Sequence, residues 1–202
     1  MRAFLFFMLM GCTLQVSAQK FAFELWHTGK MVLDTGDTLR GALKYDLQSD
    51  ILQLQIDKRL ESYTARKVLF FEIFDETVKR YRAFYSLPYA QASMYKAPVF
   101  FELLQEGKLT VLCREALEYR TTSSPLYYYG SFSRLVLVTK YFIMKENGDI
   151  EEFKGKKNDW YDLMLSKMNE VEKYAKSNRF NLDDKYELAR VIEYYNSLYE
   201  KK

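Results

Sequence analysis

The fold class is decided by one short stretch, GDTLRGALKYD at residues 36–46. From Leu39 to Tyr45 every second residue is apolar or glycine, which predicts a strand with one buried and one wet face. The preceding Thr35-Gly36-Asp37 is typical of a hairpin turn and pairs this strand with one near residues 30–34. Residues 51–56 (ILQLQI) alternate in the same way, so the chain begins as an antiparallel sheet.

The strands that follow are apolar on both faces and therefore need a covering layer on each side. The turn Glu106-Gly107 predicts a tight hairpin between two of them. Residues 86–96 and 120–134 have no clear period, and we predict loops there. The two-sided apolar strands are VLFFEIF at 68–74, PVFFELL at 98–104, LTVLC at 109–113 and LVLVTKYFIM at 135–144.

The last part of the chain changes to helical spacing. Apolar residues recur three and four positions apart from Trp160 to Ala175 and again from Leu188 to Leu198. Asn158 and Asn181 are the predicted N-caps of these two helices, and acidic residues follow Asn181 in the first turn.

These patterns predict an α+β fold. An antiparallel β domain at residues 19–155 forms a curved sheet or open barrel of about eight to ten strands. Two C-terminal helices at residues 156–202 pack on the sheet through their apolar stripes.

The N-terminus has the pattern of a secretory signal peptide at residues 1–18. Arg2 is followed by the unbroken apolar run AFLFFMLM, and Val16-Ser17-Ala18 supplies small residues for cleavage near Ala18. We therefore expect a periplasmic or extracellular protein. Lipid attachment at Cys12 is the alternative, because Leu9-Met10-Gly11-Cys12 is a loose lipoprotein box.

Composition argues against several classes of function and partner. Removing residues 1–18, which hold one basic and no acidic side chain, leaves 29 basic and 27 acidic side chains and a formal charge of +2. Near-neutral charge and export both argue against a nucleic-acid partner. No later run reaches roughly 18 apolar residues, so we predict no transmembrane segment after signal removal. Cys113 is then the only cysteine, which leaves no intramolecular disulfide.

Metal and nucleophilic chemistry have few candidates. His27 is the only histidine and is predicted to be a half-exposed surface residue. Cys113 lies in an apolar strand and is predicted to be a buried, inert thiol. With so few histidine and cysteine ligands we predict no metal site and no cofactor.

Paired carboxylates are the one catalytic device that the composition allows. Glu102 and Glu115 interrupt apolar strands on either side of the Glu106-Gly107 turn, where burial would raise a carboxyl pKa. Two such groups could serve a glycoside hydrolase. The competing interpretation is that they face water or pair with an arginine, for which Arg66, Arg82 and Arg114 are the candidates.

One aromatic segment could form a binding surface, and a second segment mixes aromatic with basic residues. Tyr127, Tyr128 and Tyr129 lie in a Ser/Thr-flanked segment, and tyrosines on a loop offer rigid contact area for a ligand or partner. The competing interpretation is an edge strand whose tyrosines pack on the sheet. The Lys79-Arg80-Tyr81-Arg82 segment is interpreted as a solvated strand face, since alternation separates its arginines from Tyr81.

Three segments carry a resemblance: GDTLRGALKYD at 36–46, EGKLTVLCRE at 106–115 and Tyr194-Tyr195-Asn196. The chain resembles uncharacterised exported, strand-rich proteins of Gram-negative bacteria that have a G-D-T-L-x-G hairpin and a C-terminal Y-Y-N helix. The resemblance implies an exported, strand-rich fold with a helical tail and implies no known activity.

The leading expectation is an exported, non-catalytic protein of the bacterial envelope that binds an envelope protein or glycan. One alternative is a carboxylate-dependent hydrolase acting on envelope glycans through Glu102 and Glu115. The other is a barrel that carries a lipid or other apolar ligand.

Overall fold

A computed structural model of the chain describes residues 21–90, 95–123 and 131–199. The described chain contains a ten-stranded antiparallel sheet that is curved and not closed, with helices after it, and the predicted α+β class is confirmed. The predicted signal peptide at residues 1–18 lies outside the described residues.

The sheet has the order β10-β9-β8-β7-β6-β5-β1-β2-β3-β4, so most neighbours along the chain are neighbours in space. The strands are β1 (His27–Leu33), β2 (Thr38–Asp46), β3 (Ile51–Ile56), β4 (Arg59–Thr64), β5 (Val68–Asp75), β6 (Arg80–Tyr89), β7 (Ala97–Gln105), β8 (Thr110–Ser123), β9 (Ser131–Met144) and β10 (Ile150–Phe153).

Both segments predicted as loops contain strand. The loop prediction is wrong for residues 86–89, 120–123 and 131–134, whereas Ala90, Tyr95 and Lys96 lie outside strands. Strand β6 continues to Tyr89 because its end pairs with β7, where Tyr89 lies opposite Ala97. Strands β8 and β9 pair from Thr110 opposite Met144 to Ser123 opposite Ser131. Cross-strand pairing supplies the order that these mixed sequences do not signal on their own.

The distal half of the β8–β9 hairpin forms an arm. Among the described pairs, β7 follows β8 only from Val111 to Cys113, whereas β9 continues alongside β8 to Ser123. We call residues 114–123 and 131–140 the β8–β9 arm.

The curvature of the sheet brings β2 and β8 close together on one side. Tyr45 of β2 approaches Glu115 of β8 to 3.3 Å between side-chain oxygens, although β1, β5, β6 and β7 lie between these strands in the sheet order. Arg114 also donates to the carbonyl oxygen of Leu47, just after β2. The side on which Tyr45 and Glu115 meet is the inner side of the sheet.

Apolar side chains fill this inner side in two clusters. The first lies among β1, β2, β3, β5, β6 and β7 and includes Met31, Leu43, Leu52, Leu54, Phe71, Ile73, Phe84 and Phe100, each 1% exposed or less. The second joins β8, β9 and the helices and includes Val111, Trp160, Met164, Val171, Leu188, Val191 and Ile192. The region between them holds charged side chains.

Three helices follow the sheet: α1 (Asp159–Asp162), α2 (Met168–Ser177) and α3 (Lys185–Ser197), with short 3-10 turns at Ala22–Glu24 and Leu165–Lys167. The first predicted helix is divided, because Leu165 has the left-handed φ of 45°. No helix in the described ranges is long and apolar enough to cross a membrane.

Of the two predicted N-caps, Asn158 holds its position and Asn181 is replaced. Asp184 caps α3, since its Oδ1 accepts from the amides of Tyr186 at 2.9 Å and Glu187 at 3.0 Å. Asn181 instead accepts from the amide of Asp183 and makes an Asx turn ahead of the helix. Asn158 precedes α1 without a capping side-chain bond.

Candidate functional site

Arg82 is the centre of a buried charge cluster on the inner side of the sheet. Its Nε and Nη2 donate to the two oxygens of Glu102 at 2.9 and 2.7 Å, a bidentate pair between β6 and β7. Nη1 donates to Asp75 and to the hydroxyl of Tyr45, both at 2.9 Å, and Nη2 also donates to Glu115 at 2.8 Å. One guanidinium therefore joins β2, β5, β6, β7 and β8.

Lys185 adds the second cation and brings in a helix. It is the first residue of α3, and its Nζ donates to Glu102 Oε2 at 2.9 Å and to Glu115 Oε1 at 2.7 Å. The start of α3 is thus tied to the same two carboxylates that Arg82 binds. Arg82, Lys185, Asp75, Glu102 and Glu115 together are the charge cluster.

Little of the cluster is accessible to water. The side chains of Arg82 and Asp75 are 2% and 1% exposed, and those of Glu102, Glu115 and Lys185 are 3%, 7% and 12% exposed. Two cations and three carboxylates give a formal charge of −1. Ions at such depth are tolerated only when they are paired and hydrogen-bonded, as all five are.

The pKa values follow from burial opposed by charge. Burial raises the pKa of Glu102, but Arg82 and Lys185 outweigh it and lower this pKa to about 2. For Asp75, burial is outweighed by bonds from Thr77 and Arg82, and the pKa is lowered. Burial lowers the pKa of Lys185, but Glu102 is among the groups that raise it above its usual range.

The structure therefore brings Glu102 and Glu115 together, as their flanking of one turn predicted. It also pairs them with Arg82, one of the three candidate arginines. The expected rise in the pKa of Glu102 is wrong, because two cations lie within hydrogen-bond distance of it. A carboxyl ionised above about pH 2 holds no proton to donate at neutral pH.

Two further titratable groups lie at the border of the cluster. Burial raises the pKa of Tyr45 well above its usual value, so its hydroxyl keeps its proton. Burial likewise raises the pKa of the Cys113 thiol, which donates to Glu102 across 3.4 Å. Cys113 is buried and free, as predicted, and a protonated thiol is a poor nucleophile.

A second ion pair holds the β2–β3 turn against β7 and β8. Arg114 Nη1 donates to Asp50 Oδ1 at 2.8 Å and to the carbonyl oxygen of Phe100 at 2.6 Å. Asp50 Oδ1 also accepts from the amide of Phe100 at 2.8 Å. These bonds fix the distance between the turn and the root of the β8–β9 arm.

A cleft of about 380 Å³ opens between the β8–β9 arm and the β2–β3 hairpin, and we call it the arm cleft. Its apolar lining comes from both sides and includes Phe23, Leu47, Leu117 and Leu137. Glu115 of the charge cluster and the neighbouring Tyr45 also line the cleft.

The polar lining of the arm cleft offers a hydrogen-bond acceptor to a ligand. Glu115 Oε1 accepts from Arg82 and Lys185, whereas among the described residues Oε2 accepts only from the hydroxyl of Tyr45, at 3.3 Å. Gln48 and Gln53 add amide groups to the same lining. The cleft can thus accept a hydrogen bond at one end and make apolar contacts along its sides.

The other predicted sites are placed differently. Tyr127, Tyr128 and Tyr129 lie outside the described residues, in the connection from β8 to β9. His27 is 2% exposed, so its predicted half-exposed position is wrong: the ring packs beside Tyr45, and Nε2 donates to the carbonyl oxygen of Ala22 at 2.7 Å. Within the described ranges, no three His, Cys, Asp or Glu side chains are grouped to hold a metal ion.

Sequence reasoning misjudged Arg82 and missed Lys185. The alternation of residues 79–82 predicts a solvated face for Arg82, yet this residue is 3% exposed. Acidic residues inside apolar strands are the available signal, because each buried carboxylate needs a cation. Lys185 has no local signal, since 83 and 70 residues separate it from Glu102 and Glu115.

Comparison of the chain with protein-family models, curated proteins and solved structures found no match.

Proposed function

We propose that the protein is an exported, non-catalytic binding protein of the bacterial envelope whose ligand occupies the arm cleft. The observation that carries the proposal is the cleft itself. Its volume of about 380 Å³ lies within the roughly 300–1,000 Å³ of small-molecule sites, and its lining is mixed. The N-terminal signal pattern supports export.

A small glycan fragment is the ligand that this lining favours. Sugar rings present hydroxyl donors at their edges and apolar C–H faces, so they can satisfy both parts of the cleft. A hydroxyl could donate to Glu115 Oε2, while a ring face packs on Phe23 or Leu117.

The test is a nuclear magnetic resonance titration with N,N′-diacetylchitobiose as the glycan probe. Saturable shifts at the amides of β2, β3 and the arm are expected. Leu117→Arg should abolish them by filling the cleft, whereas Leu135→Arg, at an exposed arm position that does not line the cleft, should leave them unchanged. Shifts that survive Leu117→Arg would place the glycan elsewhere and overturn this site.

We also propose that Tyr127, Tyr128 and Tyr129 extend the binding surface, since their segment connects the two strands of the arm. Replacing all three with alanine should weaken the same probe while the thermal midpoint of unfolding stays constant. An unchanged dissociation constant would remove these tyrosines from the site.

A carboxylate-dependent hydrolase is the alternative, supported by one observation: Glu102 and Glu115 share Arg82 and Lys185 as partners. The low pKa of Glu102 opposes it. Hydrolysis of peptidoglycan fragments by the wild type, lost in both Glu102→Gln and Glu115→Gln, would favour the hydrolase over the binding protein.

A carrier of apolar ligands is the third proposal. Packed side chains occupy the inner side of β1, β2, β5 and β6, so a carried molecule would have to use the arm cleft. A titration with dodecanol in place of the glycan probe distinguishes a carrier from a glycan-binding protein, because a carrier should bind dodecanol and not the disaccharide.

A further inference from the structure

A second cleft, of about 250 Å³, lies between β6, β7 and α3, and we call it the cap cleft. Arg82 and Glu102 are part of its lining, whereas Glu115 and Tyr45 line the arm cleft. The cap cleft therefore reaches the charge cluster from another direction. Its volume suits one charged group of a ligand better than a whole drug-sized molecule.

Two guanidinium groups line this cleft without an anionic partner. Arg80 lies over the ring of Tyr186, with 4.7 Å from Cζ to the ring centroid, and Arg190 lies over Phe180 at 5.8 Å. Neither guanidinium group makes a hydrogen bond or an ion pair in the part of the chain that the structure describes. Arg82, in contrast, is fully paired with carboxylates.

Tyr186 adds an unused donor to the same lining. Its hydroxyl is buried and has no hydrogen-bond partner among the described residues. A buried polar group without a partner is costly and uncommon in a folded protein, so it points to an absent acceptor. Gln105 contributes a side-chain amide nearby.

The charged side chains that line the cleft carry a net positive charge. Arg82 and Glu102 neutralise each other as a bidentate pair. Glu193 is the other acidic side chain in the lining, set against Arg80 and Arg190. One positive charge therefore has no counterpart within the cleft.

We propose that the cap cleft binds the oxyanion of a small soluble ligand, a phosphate or carboxylate group, through Arg80 and Arg190 with Tyr186 as an additional donor. Planar guanidinium groups suit both oxyanions, since each can donate two parallel hydrogen bonds. This site is distinct from the arm cleft and does not depend on the glycan proposed there.

The experiment follows the arginine Nε–Hε resonances of the full chain during titration with sodium phosphate and, separately, sodium acetate. Sodium chloride keeps the ionic strength constant. Saturable shifts of Arg80 and Arg190 are expected, while exposed Arg40 on β2 should not respond. Saturation by phosphate alone or by acetate alone supports the site and identifies the oxyanion.

Matched variants test the geometry. Arg80→Gln and Arg190→Gln should each weaken binding by about tenfold, and Arg40→Gln should leave it unchanged. Glu193→Gln should tighten binding by about two- to fivefold, because it removes the opposing charge. This gain keeps the proposal falsifiable if an arginine variant misfolds.

Three outcomes would overturn the proposal: no saturable shift with either salt into the millimolar range, an unchanged affinity in Glu193→Gln, or identical shifts at Arg40. Binding to phosphatidylglycerol vesicles without binding to glycerol phosphate would also contradict it, since the oxyanion would then belong to a membrane surface.

Discussion

Arg82 lies in a strand with ordinary alternation, yet its side chain bonds residues from four other strands. It alternates with exposed Tyr81, which would fit a wet strand face, yet its side chain points to the inner side. There it meets Asp75, Glu102 and Glu115. The three carboxylates come from three different strands, so the pairing depends on the curvature of the whole sheet.

Replacing Arg82 with leucine should lower the free energy of unfolding by about 3–5 kcal/mol, because buried carboxylates lose their main counter-charge. Urea denaturation measures the change. Arg40→Leu, at an exposed position on β2, is the control and should stay within about 0.5 kcal/mol of the wild type. A loss in Arg82→Leu no larger than the control would mean that the cluster does not stabilise the fold.

The two segments EGKL and YYN, which lie far apart in the chain, contact each other in the structure. Asn196 Nδ2 donates to the carbonyl oxygens of Glu106 at 3.1 Å and Leu109 at 3.0 Å, and its Oδ1 accepts from the Leu109 amide at 2.8 Å. Gly107 has φ of 149°, and a Cβ there would lie 2.6 Å from Asn196 Nδ2. These contacts give Gly107 and Asn196 a shared packing role in this structure. The resemblance built on the two segments stays a prediction.

Asn196→Ala should cost about 1–3 kcal/mol of unfolding free energy, since three buried backbone groups of the β7–β8 turn lose a partner. Asn178→Ala is the control, because Asn178 makes one exposed bond at the end of α2. Hydrogen exchange at the Leu109 amide should accelerate in Asn196→Ala alone. Unchanged protection of that amide would contradict the role given to Asn196.

Elements with a strong period could be predicted from the sequence, and elements that depend on distant partners could not. Strand β2 follows the alternation that starts at Thr38, and a Cβ on Gly41 would lie 2.6 Å from the Gln55 carbonyl oxygen, so the hairpin motif has a packing reason. Strand β4 (Arg59–Thr64) is almost wholly exposed and lacks an apolar face to signal it. Residues 120–123 and 131–134 of the arm lack a clear period, because their strand structure comes from β8–β9 pairing.

At the scale of the molecule, the charge cluster lies between the two apolar clusters of the inner side and links the sheet to α3. Lys185 contributes from the helix, and Glu102 and Glu115 contribute from the sheet. The α+β class could be predicted from periodicity alone. The candidate site could be predicted only in part, because Glu102 and Glu115 were identified while their ionised, paired state depends on tertiary contacts.

The ionised, paired state of Glu102 and Asp75 makes the free energy of unfolding depend on pH. The folded pKa of Glu102 is about 2 against an ordinary 4.5, and that of Asp75 is lowered as well. Groups with a depressed folded pKa stabilise the protein above their unfolded pKa, and this contribution is lost as pH falls towards the folded value. Protonation of Glu102 should therefore lower the free energy of unfolding by about 3 kcal/mol as the pH falls from about 5 to about 2.

Urea denaturation at a series of pH values measures that loss. The free energy of unfolding should change less steeply with pH in Glu102→Gln, which lacks the titrating carboxyl, than in Glu61→Gln, an exposed control on β4. Equal slopes in the two variants would show that Glu102 does not contribute to the acid sensitivity.

The most direct test of the account is the titration of the Glu102 carboxyl carbon, followed by 13C nuclear magnetic resonance in the wild-type protein. A structural, ion-paired Glu102 in a binding protein should stay ionised at pH 4 and titrate near its pKa of about 2. A midpoint close to neutral pH, where a general acid operates, would contradict the account and favour the hydrolase.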